Sequence, residues 1–166
     1  DITAVVSWVV HNGLVRDPSK ELILYGQSVG SAPSIYIASN GHSLFRSLGC
    51  TCRPRAPPVA GLVLESAILS GLRVFTDSRL LCCLDPFPNI SRISAVCCPV
   101  FVIHGEQDFE VNIQHGKGLY TRVPQDYQAD CWWVPNGGHN NLLSGHREKS
   151  LWFSKMGDFF EHILEE

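Results

Sequence analysis

The sequence predicts an α/β domain in which helices cover both faces of a mainly parallel sheet. Four short apolar segments, each a candidate strand, alternate along the chain with segments of helical periodicity. Parallel neighbours need a crossover connection, usually a helix, and the alternation supplies one. With 166 residues, 45% of them hydrophobic, the chain can bury a sizeable core. We therefore treat residues 1–166 as one domain.

The first half of the chain predicts a helix, a strand and a second helix. Asp1 suits an N-cap, Gly13 suits a helix end, and apolar residues lie between them at helical spacing, namely Ile2, Val5, Val6 and Val9. Residues 22–25 form a buried strand that leads directly into Gly26, and residues 29–39 form a helix. Residues 40–58 mix glycine, proline and arginine, and we interpret them as a loop insertion.

The second half repeats the alternation of strand and helix. Further strands are predicted at 61–65, 100–104 and 131–134. Further helices are predicted at 89–96, 113–122 and 147–164. In the last of these helices one apolar stripe indicates core packing, and it consists of Trp152, Met156, Phe159, Phe160 and Ile163.

Charge and cysteine content restrict the classes of partner and compartment. The net charge of −3 comes from 13 basic and 16 acidic residues without long runs, which argues against nucleic acid or an anionic membrane as partner. The seven cysteines are an odd number and show no C-x-x-C spacing, so we expect reduced thiols in the cytoplasm. We expect neither a metal nor a cofactor.

A candidate nucleophile lies at the end of the first strand. Gly26-Gln27-Ser28-Val29-Gly30 matches G-x-S-x-G between a predicted strand and a predicted helix, the context in which this motif is a nucleophile elbow. The serine must occupy a sharp, strained turn, so we expect glycine at 26 and 30 to remove side chains that would collide with neighbouring backbone. The backbone N–H of Val29, at a helix N-terminus, is the candidate oxyanion donor.

His139 is the candidate base that would accept the proton of Ser28. In an open parallel sheet, functional groups gather at the carboxyl ends of the strands, and His139 follows the strand at 131–134 through a glycine-rich loop. His104 also lies at a strand end, but it precedes the turn, and we interpret it as structural. The other histidines are expected to be solvated or packed: His11, His42, His115, His146 and His162.

Asp108 is the candidate acid that orients His139. It follows the strand at 100–104 by a short turn, and the order serine, acid, histidine is that of the alpha/beta-hydrolase fold. Glu106 and Glu110 compete for the role from the same loop, and Glu65 is a weaker alternative after the preceding strand.

Several segments resemble the alpha/beta hydrolase domain-containing protein 17 family of protein depalmitoylases. They are ILYGQSVGS, SGLRVFTDSRLLCCLDPFPNISRIS, CPVFVIHGEQDFEVNIQHGKGLY and the loop containing GGHNN. The resemblance covers most of residues 1–166 apart from 40–58, and SGLRV and DPFP are more specific to the family than the elbow is. It places Ser28, Asp108 and His139 at the family's triad positions.

The resemblance also implies a reaction, a partner and a location. The reaction is hydrolysis of the thioester between a fatty acyl chain and a protein cysteine, and the partners are palmitoylated proteins on the cytosolic side of membranes. The family's domain begins earlier, with further strands, a second oxyanion donor and an acylated cysteine cluster, so we expect the N-terminal strands to be missing here. The alternatives are a general carboxylesterase or lipase-like hydrolase and a catalytically silent binding module.

Overall fold

The computed structural model describes residues 2–48, 57–71 and 85–165. Four strands form in these residues: β1 (Ile23–Gln27), β2 (Gly61–Glu65), β3 (Val100–Gly105) and β4 (Gln128–Val134). The helices are α1 (Ile2–His11), α2 (Pro18–Glu21), α3 (Ser31–Ser47), α4 (Asn89–Arg92), α5 (Gln114–Tyr120) and α6 (His146–Glu165). Short 3₁₀ turns occur at Ser28–Gly30, Ile93–Ala95 and Gln125–Tyr127. Predictions for Asp1, residues 49–56, Cys50, Cys52, Cys82 and Cys83 lie outside the described residues.

The four described strands form one parallel sheet in the order β1-β2-β3-β4. The register pairs Gln27 with Glu65 and Glu65 with Ile103, so the carboxyl ends of β1, β2 and β3 align along one rim. Gly105 at the end of β3 pairs with Val134 at the end of β4, which continues the same rim. All four predicted strands are confirmed, and β1 forms one edge of the described sheet.

Helices pack on both faces of the sheet, as the alternating pattern predicts. On one face α1 and α3 cover the strands, and their side chains share a core that includes Val6, Ile35, Leu62 and Val102. On the other face α6 packs through Met156 and Phe159, whose ring centroid lies 5.8 Å from that of Phe101. The fold therefore has three layers, with the functional rim left open at the strand ends.

The helix that follows the elbow extends beyond its predicted end. The prediction of a loop from residue 40 is wrong for residues 40–47, because α3 continues to Ser47. Phe45 is fully buried in this extension, and a Cβ at Gly41 would lie 3.0 Å from Cβ of Pro58, so glycine permits the close approach of the segment that leads into β2. Tertiary packing thus overrides the low helix propensity of glycine.

Helix α1 ends close to Gly13, as the sequence predicts. Gly13, two residues beyond α1, has a φ of 68°, a left-handed conformation that glycine adopts without strain after a helix.

Cys97, Cys98 and Cys131 are free thiols, and Cys98 is buried. Among the helices of the described ranges, none combines the length and the apolarity needed to cross a bilayer.

Candidate active site

The turn after β1 holds Ser28 in a strained conformation. Its φ is 50°, a left-handed value that costs a residue with a side chain about 1–2 kcal/mol. Ser31 fixes the turn: its hydroxyl donates to the Ser28 carbonyl at 2.6 Å and accepts from the Ile68 N–H at 3.2 Å. The strained serine is thereby linked to the segment that follows β2.

The two glycines of the motif differ in their structural role. A Cβ at Gly26 would lie 2.8 Å from both the Gly30 carbonyl oxygen and the Ser31 Cα, so position 26 has no room for a side chain. The expectation that Gly30 is equally necessary is wrong, because no described atom apart from its own local backbone and chain neighbours lies within 4 Å of the place where its Cβ would be. Gly30 also has ordinary helical angles, with φ −62° and ψ −18°.

His139 joins the elbow to the loop after β3. Its Nε2 lies 2.9 Å from Ser28 Oγ, and its Nδ1–H donates to Asp108 Oδ2 at 2.8 Å. With Nδ1 protonated by this contact, the neutral ring has Nε2 free to accept the serine proton. The structure therefore brings together the three side chains that the sequence predicts for this site.

Backbone contacts hold the His139 loop against the Asp108 loop. The Gln107 N–H donates to the Gly137 carbonyl at 2.9 Å, and a Cβ at Gly105 would overlap that same carbonyl group. Within the His139 loop, Gly138 N–H donates to Asn141 Oδ1 at 2.5 Å. The loop that carries the imidazole is thus held by a backbone hydrogen bond from the Asp108 loop and by a hydrogen bond to its own Asn141 side chain.

Asp108 is buried and fully hydrogen-bonded. Its side chain has no exposed surface, and its Oδ1 accepts from the backbone N–H groups of Glu110 at 3.0 Å and Val111 at 2.8 Å. Burial raises the pKa of the Asp108 carboxyl, but the Val111 N–H and the His139 imidazole outweigh it and hold that pKa below its ordinary value. The carboxylate is therefore ionised when it orients His139.

The three alternative acids are placed differently. Glu106 is exposed. The Glu110 side chain is 66% exposed, and its carboxylate lies 4.0 Å from the Nε2 of His139, the atom that faces Ser28. Glu65 is buried, and its carboxylate accepts from the Tyr25 hydroxyl and, at 3.2 Å, from Gln27 Nε2. Only Asp108 lies against Nδ1 among these carboxylates of the described chain.

Val29 and Gly30 border an apolar groove of about 690 Å³. Val29 occupies the first turn after Ser28, where backbone N–H groups have no partner within the helix and can meet an anion. The groove is lined further by α1, α3 and the segment at 85–92, through Ile2, Val5, Tyr36, Pro86, Phe87 and Arg92. An apolar chain attached to a carbonyl at Ser28 would have apolar surface beside it.

Asp85 holds the Pro86–Phe87 side of this groove in place. Its carboxylate accepts from the Ser70 hydroxyl, from Gly71 N–H at 2.9 Å and from Phe87 N–H at 3.0 Å. A Cβ at Gly71 would lie 2.9 Å from the Phe87 ring, so the two segments are closely packed. These contacts join the beginning of the SGLRV segment to the DPFP segment, while residues 72–84 lie outside the described chain.

Curated relatives identify the family. The alpha/beta hydrolase domain-containing protein aho-3 of Caenorhabditis elegans is 36% identical over 126 residues, which are 75% of this chain and 32% of that protein. Alpha/beta hydrolase domain-containing protein 17C of Homo sapiens is 37% identical over 124 residues, which are 74% of this chain and 32% of that protein. This chain belongs to the alpha/beta hydrolase domain-containing protein 17 family. It spans about a third of the length of these relatives.

A solved structure shows the same fold as this member of the alpha/beta hydrolase domain-containing protein 17 family. The sugar hydrolase YeeB from Lactococcus lactis superimposes with a TM-score of 0.68 at 17% identity, covering 99% of this chain and 67% of that one. At this identity the similarity concerns the fold alone. No family model matches the chain.

Some residues of the site carry no sequence motif. The Ser31 hydroxyl on α3 accepts from the Ile68 N–H after β2, and the Val111 N–H donates to Asp108 within the loop after β3. Ser66, at the end of β2, has a φ of 44° and is fully buried, and its hydroxyl lies 3.5 Å from the His139 carbonyl. For His104 the sequence does give a signal, because it is a polar residue at the end of an apolar strand and lies four positions before Asp108.

Proposed function

We propose that this chain is the catalytic part of a serine hydrolase with Ser28 as nucleophile, His139 as general base and Asp108 as the orienting acid. The observation that carries the proposal is the continuous hydrogen-bonded path from Ser28 Oγ through both nitrogens of His139 to Asp108 Oδ2, at 2.9 and 2.8 Å. That path is the arrangement in which an imidazole can take a serine proton while a carboxylate stabilises the imidazolium.

The proposed substrate is the thioester between a fatty acyl chain and a protein cysteine. Ser28 Oγ attacks the thioester carbonyl carbon while His139 Nε2 takes the hydroxyl proton, and the Val29 N–H stabilises the oxyanion. The carbon–sulfur bond then breaks, and the imidazolium returns its proton to the leaving thiolate. Water attacks the acyl-enzyme by the same proton path and releases the fatty acid and free Ser28.

Two observations support a fatty acyl substrate, and the choice of a thioester follows from the resemblance to protein depalmitoylases. The chain belongs to the alpha/beta hydrolase domain-containing protein 17 family, and the groove beside Val29 is bordered largely by apolar side chains. Under this proposal the partners are palmitoylated proteins, encountered on the cytosolic side of membranes.

A fluorophosphonate probe tests the serine nucleophile. The purified protein and its Ser28→Ala variant are treated with the probe, and Ser43→Ala serves as the matched control because Ser43 is an exposed serine on α3. We expect labelling of the wild type and of Ser43→Ala and none of Ser28→Ala. Equal labelling of all three proteins, or of none, would contradict the proposed nucleophile.

Leaving-group preference tests the substrate class. A palmitoyl thioester peptide and its serine ester counterpart, identical at every position except the acylated Cys or Ser, are compared by kcat/KM with the unlabelled wild-type enzyme. We expect faster hydrolysis of the thioester. Faster hydrolysis of the ester would favour a general carboxylesterase, and labelling without turnover of either would favour a binding role.

A further inference from the structure

His104 is a fully buried histidine next to the proposed acid. It lies near the end of β3, one residue beyond the last pair with β2 and paired with Trp133 of β4, and its side chain has no exposed surface. Its Nε2–H donates to the Val111 carbonyl at 2.8 Å, and the same atom lies 3.4 Å from Asp108 Oδ2. The buried imidazole therefore contacts the Asp108 loop from the side that faces the core.

Val111 connects His104 to Asp108 through both of its backbone polar groups. Its carbonyl accepts from His104, and its N–H donates to Asp108 Oδ1 at 2.8 Å. Asp108 Oδ2, the other carboxylate oxygen, accepts from His139. A chain of contacts thus runs from His104 through Val111 and Asp108 to the imidazole that faces Ser28.

The chemistry of this position is not that of an ordinary core residue. Its neighbours along β3 are apolar and fully buried, whereas His104 leaves its Nδ1 without a hydrogen-bond partner among the described residues. Gly116 fits against the ring, since a Cβ there would lie 2.6 Å from Nδ1. A buried polar atom without a hydrogen-bond partner lowers the stability of a fold, so an apolar residue at position 104 would pack better. Residues that lower stability in this way are expected mainly at functional sites.

We propose that His104 is a positioning residue: by holding Val111 it fixes the Asp108 carboxylate in the orientation that His139 requires. The inference rests on the proposed function for its effect on rate. His104 is not a catalytic residue, because it is fully enclosed and its N–H is directed to the Val111 carbonyl. Its effect on the reaction passes entirely through Asp108.

The first test compares two substitutions of His104 in the complete protein, with thioester hydrolysis as the assay. His104→Leu removes the N–H donor, and a misplaced Asp108 is expected to lower kcat roughly 10- to 100-fold with little change in KM. His104→Gln keeps a donor of similar reach and is expected to recover a large part of that loss. Val102→Ala is the control for core damage on β3, because Val102 is fully buried and packs in the core on the α1 and α3 face.

A double-mutant cycle separates positioning from a general packing role. If His104 acts through Asp108, His104→Leu changes kcat by less than about twofold in an Asp108→Asn background, because the contact it supports is already lost. An equal fold-loss in both backgrounds would overturn the proposal, as would wild-type kcat in His104→Leu. A loss in Val102→Ala as large as that in His104→Leu would also overturn it.

A readout independent of activity keeps the inference distinct from the proposed function. The Asp108 carboxyl is followed by carbon NMR titration in wild type, His104→Gln and His104→Leu. We expect the Asp108 pKa to rise in His104→Leu and to remain near the wild-type value in His104→Gln. Unchanged titration in His104→Leu would overturn the inference even for an active enzyme. The expected rise would support it even if the protein hydrolysed none of the substrates.

Discussion

Ser28 Oγ lies 2.9 Å from His139 Nε2 although the two residues are 111 positions apart in the chain. The contact forms because β1 and β4 end at the same rim of a parallel sheet, one at each side of β2 and β3. Ser28 lies in the turn directly after β1, and the loop after β4 extends along the rim so that His139 contacts it. Sheet topology, rather than proximity in sequence, thus creates the pair.

The two glycines of the elbow are predicted to respond oppositely to alanine. Gly26→Ala places a methyl group 2.8 Å from backbone atoms of Gly30 and Ser31, and overpacking of this kind costs about 1–3 kcal/mol. Gly30→Ala meets open space at helical angles and is expected to leave stability unchanged or raise it by about 0.4–1 kcal/mol. Urea unfolding and fluorophosphonate labelling check both variants, and a stable, labelled Gly26→Ala would contradict the prediction.

Asp108 is predicted to be the acid on which turnover depends. Asp108→Asn keeps the size of the side chain but replaces the carboxylate that fixes the His139 tautomer, and kcat is expected to fall about 10³–10⁴-fold. Glu110→Gln is the matched control, because its carboxylate is largely exposed and lies on the other side of the ring. It should stay within about threefold of wild type. A larger loss in Glu110→Gln than in Asp108→Asn would reassign the acid.

The same carboxylate is predicted to make stability depend on pH in acid. The pKa of Asp108 is depressed in the fold, so its ionised form contributes stability that is complete above the ordinary carboxyl pKa of about 3.9 and declines as the pH falls further. The difference in unfolding free energy between wild type and Asp108→Asn should therefore narrow below about pH 4. Urea unfolding from neutral to acidic pH measures it, and a difference that widens in acid would refute the prediction.

Asp85 is predicted to affect the groove rather than the reaction. Asp85→Asn weakens its contacts to Ser70, Gly71 and Phe87, and hydrogen bonds to a charged group are worth about 1.5–3 kcal/mol each. We expect lower stability and a higher KM for long acyl chains, with a smaller change for short ones. Asp126→Asn, at an exposed carboxylate, is the control. An equal change of KM for long and short acyl chains would contradict the prediction that Asp85 shapes the groove.

Most of the architecture could be predicted because hydrophobic periodicity reports it directly. The strands around Leu24, Val63 and Val102 are apolar runs bounded by turn residues, and α6 carries a clear apolar stripe. The end of α3 was not predictable in this way. Gly41 indicates a break by local propensity, and only the packing of Phe45 and Pro58 around it shows why the helix continues.

The candidate site was predictable in its residue types and less so in its supporting contacts. Ser28 and His139 follow from a motif and a strand end, but the choice among Asp108, Glu106 and Glu110 depends on burial and backbone N–H donors that a sequence does not display. The role assigned to Gly30 was wrong because the motif alone does not say which glycine meets backbone.

The close approach of Gly105 to the carbonyl of Gly137 has a consequence for loop exchange between relatives. The segment carrying the carboxylate and the segment carrying the imidazole share one backbone interface, with the Gln107 N–H donating across it. A chimera that imports either segment alone would bring an unmatched surface to that interface. The two segments must therefore be transplanted together, as a single module.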